Sequence, residues 1–296
     1  MPPCPNHWLL IGRLHLGWIM VQLSPIVCKE YLLQFEKTLI MGVLNITPDS
    51  FADGGRFNDL ETAVAHGKKM ASDGADLIDI GGESTRPGST PISEKEEIAR
   101  ILPVVKRLLD EVSIPLSIDT YKPQVAAACL KAGAHLINDI TGMTSPEMRK
   151  LIAQYEVPVV IMHMKGSPKT MQQNPFYRDV LEEISSFFYH QIATVHNEEI
   201  QQIIIDPGIG FGKTIEHNLK ILKYLEVFKV HGCPILVGPS RKSFIGEITD
   251  LSVKERLDGT LAAVTAAVLN GANILRVHDV KECKQAVQVA DAIRDA

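Results

Sequence analysis

The sequence has few cysteines, and none of them lies in a pattern that binds a metal or builds a disulfide framework. The five cysteines are Cys4, Cys28, Cys129, Cys233 and Cys283, an odd number without a C-x-x-C pair. This usage is typical of a reduced protein, and we expect Cys129, Cys233 and Cys283 to be small core or near-surface residues. The cysteine content therefore predicts a cytoplasmic protein.

The motifs of several functional classes are absent as well. The sequence contains no H-E-x-x-H, no cluster of cysteine and histidine, and no G-x-S-x-G, so zinc chemistry and serine-nucleophile chemistry have no support. A net charge of −5 implies no basic face, which argues against nucleic acid as a bulk partner. No long Gly/Ser linker or run of like charges divides the 296 residues, which favours a single domain.

What the sequence does contain is a set of short apolar runs that each end in a polar or glycine-rich segment, with helical patterns between them. The runs are Met41–Leu44, Leu77–Ile80, Pro115–Ile118, Leu136–Ile137, Val159–Met162, Ile203–Ile205, Ile235–Val237 and Ile274–Leu275. Parallel strands closed into a barrel bring all their carboxyl ends to one mouth. The repetition therefore predicts the α/β class and a single (β/α)8 TIM barrel. An open doubly wound sheet, which also alternates strands and helices, is the alternative.

Helical patterns fill the intervals between these runs. The predicted helices are Leu60–Ser72, Ser93–Leu109, Pro123–Ala132, Pro146–Gln154, Arg178–Val195, Ile215–Phe228, Val253–Asn270 and Lys281–Ala292. The connections that leave the first two strands are long, whereas those that return from helix to strand are short, as expected when the mouth carries the function.

The first 36 residues precede the predicted barrel. Leu14–Val27 is apolar enough to resemble the core of a signal peptide, but no Lys or Arg precedes Arg13, and Pro25 interrupts it. It is also shorter than the roughly 20 residues that a membrane span requires. We therefore predict neither export nor a membrane segment. We expect an extension that lies on the barrel floor, or an upstream start codon, followed by one domain over residues 37–296.

The glycine-rich segment Asp206–Thr214 is similar to two phosphate-binding loops and satisfies neither pattern. A dinucleotide fingerprint would need glycine where Lys213 stands, and a P-loop would need glycine where Pro207 stands. Nucleotide phosphate binding through this segment is therefore not predicted. Its glycines still allow the backbone to pass close to a ligand.

Polar side chains at the ends of the third, fourth and sixth runs form a candidate binding set. Asp119, Asn138 and Asp206 would together offer acceptors to a flat, donor-rich heterocycle, because a carboxylate can accept two parallel N–H bonds. Each also has a structural alternative, since Asp119 could cap a turn and Asn138 could hold a loop.

Cationic side chains follow the last two runs, where barrels of this kind usually bind phosphate. Arg241 and Lys242 follow the seventh run, and Arg276 and His278 follow the eighth. Arg241 and Lys242 could instead be solvated surface charges, and Arg276 lies either in the mouth or in an ion pair just beneath it. Asn45 could supply one oxygen to a magnesium ion bridged to a substrate anion.

Taken in order, these segments resemble the dihydropteroate synthase family. The matching blocks are Met41–Phe57, Asp79–Ser89, Ser117–Thr120, Ile137–Gly142, Ile161–Lys165, Asp206–Lys213, Gly238–Gly246 and Arg276–Asp279. Two departures are visible: Ala52 stands where the family commonly has serine, and the first 35 residues have no family counterpart.

The resemblance implies a homodimeric, Mg²⁺-dependent transferase of folate biosynthesis and a sulfonamide target. It would join dihydropterin pyrophosphate to p-aminobenzoate, with no nucleic acid or membrane as partner. The implied pterin-binding residues are Asp119, Asn138, Asp206 and Lys242. The implied pyrophosphate-binding residues are Asn45, Arg276 and His278, with Asn45 also on the metal, and these three with Lys242 form the implied catalytic set. The implied p-aminobenzoate site consists of Phe51, Thr85, Arg86, Pro87, Phe211 and Ser243.

Two rival functions share pterin recognition with this one. The first is a methyltetrahydrofolate-dependent methyltransferase on a related barrel, which does not need the Thr85–Pro87 loop or the Ser240–Ser243 cluster. The second is a non-catalytic pterin-binding paralogue, in which loss of Asn45 or Arg276 would be expected, and both are present.

Overall fold

Ten strands and nine α-helices form the part of the chain that the computed structural model describes, residues 23–47, 55–84 and 88–296. The strands are β1 Ile26–Cys28, β2 Tyr31–Leu33, β3 Leu39–Asn45, β4 Leu77–Gly81, β5 Leu116–Asp119, β6 Leu136–Asp139, β7 Val159–Met162, β8 Ile203–Asp206, β9 Leu236–Val237 and β10 Ile274–Val277. The helices are α1 Gly55–Ser72, α2 Glu94–Glu111, α3 Pro123–Ala132, α4 Pro146–Tyr155, α5 Val180–His196, α6 Ile215–Lys223, α7 Ser243–Thr249, α8 Leu257–Leu269 and α9 Val280–Arg294.

Strands β3 to β10 form one parallel sheet in the order β8-β7-β6-β5-β4-β3-β10-β9. The two edge strands of this order meet, because Ile205 and Ile235 form a parallel bridge and the Ile205 N–H donates to the Pro234 carbonyl at 2.9 Å. The sheet is therefore closed into a barrel, and the predicted TIM barrel is confirmed over the open doubly wound sheet. We call the narrow junction between β8 and β9 the seam.

The strands read as unbroken apolar runs because both of their faces are covered. One face packs on the helices and the other on the barrel interior, so β7 and β8 are buried at every position. Local signals place the helix starts: the Ser93 hydroxyl accepts the Glu96 N–H at 3.2 Å, and α3 begins with proline in its first turn.

The predicted helices agree with the structure to within two residues at each end, except at the start of α1 and along the last third of the chain. Helix α1 begins at Gly55, five residues before the predicted Leu60. The helix predicted over Ile215–Phe228 ends at Lys223 and continues as a 3-10 helix, Leu225–His231. The segment predicted to start a helix at Val253 forms a 3-10 turn first, and α8 begins at Leu257. Helix α7 was not predicted, because seven residues are too few for a clear apolar period.

The floor of the barrel is covered by an antiparallel hairpin of β1 and β2, which the sequence did not predict. Ile26, Cys28 and Leu33 of the hairpin pack with the residues that begin the barrel strands, among them Met41 and Leu77. Two hydrogen bonds from the first half of the hairpin fix it to the barrel: the Val27 N–H donates to Gln202 Oε1 at 2.9 Å, and Lys29 Nζ donates to the Gly133 carbonyl at 2.8 Å. Residues 23–36 thus close the end of the barrel opposite the mouth. The division of the chain into two parts at residue 36 stays a prediction.

Among the helices of the described ranges, none combines the length and the apolar character needed to cross a membrane. Four described cysteines, Cys28, Cys129, Cys233 and Cys283, carry free thiols, and burial raises the pKa of each. Cys129 and Cys283 are buried and Cys233 is half-buried, which agrees with the core or near-surface positions predicted for these three residues.

Candidate active site

A cavity of about 350 Å³, including the part open to solvent, lies at the carboxyl ends of the strands. Its walls combine charged and polar groups with apolar side chains. The lining residues are Asp119, Asn138, Ile140, Met162, Asp206, Ile209, Phe211, Gly238, Lys242 and Arg276. The structure therefore brings together all four residues predicted to bind a pterin ring, which come from strands or loops far apart in the sequence.

Two carboxylates stand on different sides of this cavity. Asp206 ends β8, and its Oδ1 accepts the Gly208 N–H at 2.7 Å. Burial raises the pKa of Asp206 to about 6, while the Gly208 N–H and the Lys242 ammonium act in the opposite direction. Asp119 ends β5, and burial raises the pKa of its carboxyl too, against the lowering effect of Arg276. Both carboxylates are poorly solvated acceptors, so ligand N–H donors would stabilise their charge.

Arg276 projects from β10 between two carboxylates. Its Nε donates to Asp79 Oδ2 at 2.6 Å, and its Nη2 donates to Asp119 Oδ2 at 2.6 Å. The paired negative charges hold the pKa of Arg276 above its ordinary value although burial acts to lower it. Arg276 therefore lines the mouth and also forms an ion pair beneath it. The sequence offered these two placements as alternatives, and the structure combines them.

Asn138 lies in β6 with only 4% of its surface exposed. Its Nδ2 donates to Asp79 Oδ2 at 3.0 Å. Its Oδ1 is buried and forms no hydrogen bond within the described residues. An amide oxygen in that state is available to a ligand donor.

Lys242 and Phe211 form the outer wall. Lys242 precedes α7, and its Nζ lies 4.2 Å from the centroid of the Phe211 ring. The distance is that of a cation–π contact. This pair gives the cavity an aromatic face and a positive charge on the same side.

Beside this cavity, Asn45 and His278 end two neighbouring strands. Asn45 is the last residue of β3, and His278 follows β10, which pairs with β3. His278 Nδ1 lies 3.0 Å from the Ser240 hydroxyl. Burial lowers the pKa of His278 to about 4, and the Arg276 guanidinium acts in the same direction. Neutral His278 beside a guanidinium is suited to gain a proton when an anion arrives.

Arg241, whose role the sequence left open, binds another part of the mouth. Its Nε and Nη2 donate to the two oxygens of Asp279 at 2.8 and 2.6 Å. Its own backbone is in the left-handed region, with φ 56°, and its N–H donates to Thr260 Oγ1 at 3.0 Å. This bidentate pair ties the residue before Lys242 to the residue after His278.

A second buried cation supports the glycine-rich segment. Lys213 Nζ donates to the carbonyls of Phe211 at 2.9 Å and His163 at 3.2 Å, and lies 3.1 Å from His163 Nδ1. Burial lowers the pKa of Lys213 to about 7, with the charge of Asp206 opposing this change. Lys213 thus holds the loop after β8 against the end of β7, which positions the Phe211 ring.

The residues predicted to bind p-aminobenzoate are only partly described. Phe211 lines the cavity, and Ser243 begins α7 with an exposed side chain. Phe51, Thr85, Arg86 and Pro87 lie outside the described residues. The stems of the loop that carries the last three are anchored: Lys122 Nζ donates to Glu83 Oε2 at 2.6 Å and to the Ile92 carbonyl at 2.7 Å.

Sequence reasoning missed Asp79, Ser240 and Lys213 as parts of the site. Asp79 is fully buried in the middle of β4. A carboxylate inside an apolar strand was the available signal, because such a charge is rarely buried without a partner. Ser240 and Lys213 gave no such signal, since each stands in a loop where a polar residue is ordinary.

Similarity to known proteins agrees with this geometry. Residues 41–278 match the family described as pterin binding enzyme. A dihydropteroate synthase of Synechocystis sp. is 48% identical over 262 residues, which cover 87% of this chain and 91% of that protein. A Yersinia pestis dihydropteroate synthase, solved with a sulfonamide drug complex, has a TM-score of 0.88 and 42% identity over 92% of this chain and 100% of that one.

The dihydropteroate synthase of Xanthomonas albilineans was solved in complex with 7,8-dihydropteroate. It has a TM-score of 0.84 and 38% identity over 92% of this chain and 100% of that chain. The family match over residues 41–278 includes part or all of each of the eight barrel strands. The chain belongs to the pterin-binding enzyme family and, within it, to the dihydropteroate synthases.

Proposed function

We propose that this chain joins 6-hydroxymethyl-7,8-dihydropterin pyrophosphate to p-aminobenzoate, giving 7,8-dihydropteroate and pyrophosphate. The observation that carries the proposal is the set of acceptors in one cavity. Asp119, Asn138 and Asp206 offer two carboxylates and an amide oxygen to a flat ring with many N–H donors. Charge-assisted hydrogen bonds of this kind contribute about 1.5–3 kcal/mol each.

The chemical step needs no covalent nucleophile. The amine of p-aminobenzoate attacks the methylene carbon of the pterin, the C–O bond to pyrophosphate breaks, and the amine loses a proton. As that bond breaks, positive charge develops on the methylene and spreads into the electron-rich ring. The buried carboxylates Asp119 and Asp206 therefore stabilise the transition state more than the ground state, which is the requirement for catalysis.

The leaving pyrophosphate requires stabilisation of negative charge. Asn45, Arg276 and His278 are the groups we assign to it. His278 is neutral at pH 7 in the unliganded protein, because burial lowers its pKa to about 4. An adjacent polyanion raises that pKa, so His278 can take up a proton as pyrophosphate departs.

We assign magnesium to the same side of the mouth. Within the described residues, no group of three or more His, Cys, Asp or Glu side chains could hold a metal ion. The donor set fits an ion held mainly by pyrophosphate oxygens and water, with Asn45 as a protein ligand, because Mg²⁺ often keeps water and binds few protein groups. When bound, the ion would neutralise part of the leaving charge.

Release of pyrophosphate separates this function from its rivals. We expect release only when the pterin pyrophosphate and p-aminobenzoate are both present, measured by a coupled assay. A methyltransferase would instead consume methyltetrahydrofolate with a corrinoid acceptor. A non-catalytic paralogue would bind the pterin without release, and either result would refute the proposal.

We further propose a homodimer formed through α6, α7 and α8. These helices leave an apolar groove on the outside of the barrel, in which Leu219 and Ile248 are 44% and 56% exposed, beside Ala262, Ala263 and Ala266. An apolar surface of this kind is typical of an interface. Sedimentation equilibrium should give twice the chain mass for the parent. Ile248→Asp should give monomers, and monomers of the parent would refute the dimer.

The location we propose is the cytoplasm. The four free thiols of the described residues support a reducing compartment. Fractionation of cells that make the protein should recover it with cytoplasmic markers, and recovery with secreted proteins would refute this location.

A further inference from the structure

Three buried side-chain oxygens, one in the wall of the cavity and two on the strands beside it, form no hydrogen bond within the described residues. They are Asp79 Oδ1, Ser117 Oγ and Asn138 Oδ1. They belong to three neighbouring strands, β4, β5 and β6, and Asp79 is the direct pairing neighbour of Ser117. Buried polar atoms normally find partners, so a cluster of this kind at a binding cavity indicates groups that bind a ligand or position the residues that bind it.

Asp79 is the centre of this cluster. Its Oδ2 accepts from two residues of the cavity wall, Asn138 Nδ2 at 3.0 Å and Arg276 Nε at 2.6 Å. It is fully buried and is not itself among the lining residues. Asp79 therefore acts on a ligand only through the two side chains that it holds.

The direction of the hydrogen bond between Asn138 and Asp79 determines which end of the Asn138 amide can contact a ligand. A carboxylate accepts and cannot donate, so the Asn138 NH2 group must point toward Asp79. The amide oxygen then points away from Asp79 and has no partner in the described residues. An amide free to turn would offer the cavity either end with similar ease.

We propose that Asp79 is the positioning residue of the pterin site: it orients Asn138 so that Oδ1 accepts a ring N–H, and it retains Arg276. This role rests on the proposed function, because the ligand must supply a donor at that point. Asp119, Asp206 and the oriented Asn138 then present only hydrogen-bond acceptors to the ring. A ring with an acceptor in place of that N–H would face Oδ1 lone pairs and be rejected.

A series of substitutions tests the polarity directly, with 6-hydroxymethyl-7,8-dihydropterin as the calorimetric probe. Asp79→Ala removes the acceptor, so Asn138 is free to turn and affinity should fall about 5- to 150-fold, the range for one unsatisfied buried polar group. Asp79→Asn keeps an acceptor oxygen at the same place and should recover most of that affinity.

Exchanging the carboxylate and the amide between positions 79 and 138 tests the direction of this hydrogen bond more directly. Asn138→Asp places a carboxylate against Asp79 and should bind the probe at least about tenfold more weakly than the parent. Adding Asp79→Asn lets the new amide donate to the new carboxylate, so the double variant should bind more tightly than Asn138→Asp alone. Both variants conserve buried volume, so they decide the question even if Asp79→Ala does not fold.

Asp291→Asn is the matched control. Asp291 is a buried carboxylate at the opposite end of the barrel, where it accepts from the Thr38 N–H at 3.0 Å and the Thr38 hydroxyl at 2.7 Å. It should change thermal stability and leave probe affinity at the parent value.

Two results would overturn the role of Asp79. One is parent affinity in a folded Asp79→Ala variant, and the other is a double variant that binds no better than Asn138→Asp. Failure of the proposed function looks different: the parent would neither bind the probe nor release pyrophosphate, and the role of Asp79 would fall with it.

Discussion

Replacing Asp206 by asparagine should make the unliganded protein more stable while it weakens pterin binding. Burial raises the pKa of Asp206 from 3.8 to about 6, so its ionised form is disfavoured in the folded state. Each pKa unit corresponds to about 1.4 kcal/mol, which places the cost of ionised Asp206 at pH 7 near 3 kcal/mol. An amide of the same shape does not carry that cost.

Part of this gain is offset by Lys213. The charge of Asp206 opposes the lowering of the Lys213 pKa, so the amide leaves that buried ammonium less well compensated. We therefore expect Asp206→Asn to raise the free energy of unfolding by about 1–3 kcal/mol at pH 7. Pterin affinity should fall about 100-fold or more, because a charged acceptor of two N–H bonds becomes a neutral amide with one acceptor.

The pH dependence identifies the cause. A carboxylate whose folded pKa is raised contributes stability below its unfolded pKa, and this contribution is lost as the pH rises through the folded pKa. The stability difference between variant and parent should therefore be small near pH 4 and reach its full value above about pH 6. Denaturant unfolding at several pH values gives the difference, and calorimetry with the dihydropterin gives the affinity. A variant less stable than the parent at pH 7, or one with parent affinity, would refute the reasoning.

Three other features give shorter tests. Addition of pyrophosphate and Mg²⁺ should raise the pKa of His278 from about 4, observed by NMR titration of labelled histidine, and an unchanged pKa would remove it from the anion site. Arg241→Ala and Asp279→Ala should each lower turnover and reduce the free energy of unfolding by about 1–3 kcal/mol. A double-mutant cycle should show that the two effects are coupled, and additive effects would exclude the ion pair as their cause. Leu33→Ala, on the barrel floor, should cost about 2–5 kcal/mol and leave KM unchanged, whereas a changed KM would connect the floor to the mouth.

The barrel could be predicted because its strands are buried on both faces. Each strand therefore appears in the sequence as a short, continuous apolar run. The sequence also predicted Asp119, Asn138 and Asp206 together, because a parallel barrel brings the carboxyl ends of its strands to one cavity. The contacts within the cavity could not be predicted in this way. Asp79 was read as part of an apolar run, and only the packed interior shows that it meets Arg276 and Asn138.

The hairpin on the floor was missed for a related reason. Its strands are three residues long, and the segment that resembled a signal-peptide core, Leu14–Val27, includes the first two residues of β1. Such short strands have no period to detect, and they are stabilised by burial of Ile26 and Cys28 against the barrel. Arg241 was undefined from the sequence because its partner, Asp279, lies 38 positions away and meets it only in the fold.

The seam between β8 and β9 links ligand binding to the stability of the closed barrel. Strand β9 has two residues, and the Ile205–Ile235 bridge joins it to β8. Asp206 is the last residue of β8, and Lys242 lies in the loop that follows β9. A pterin that bound to both side chains, as we propose, would link β8 and β9 across a junction that only an isolated bridge holds together. Amide hydrogens of Ile205 and its neighbours should then exchange with solvent more slowly once the ring is bound.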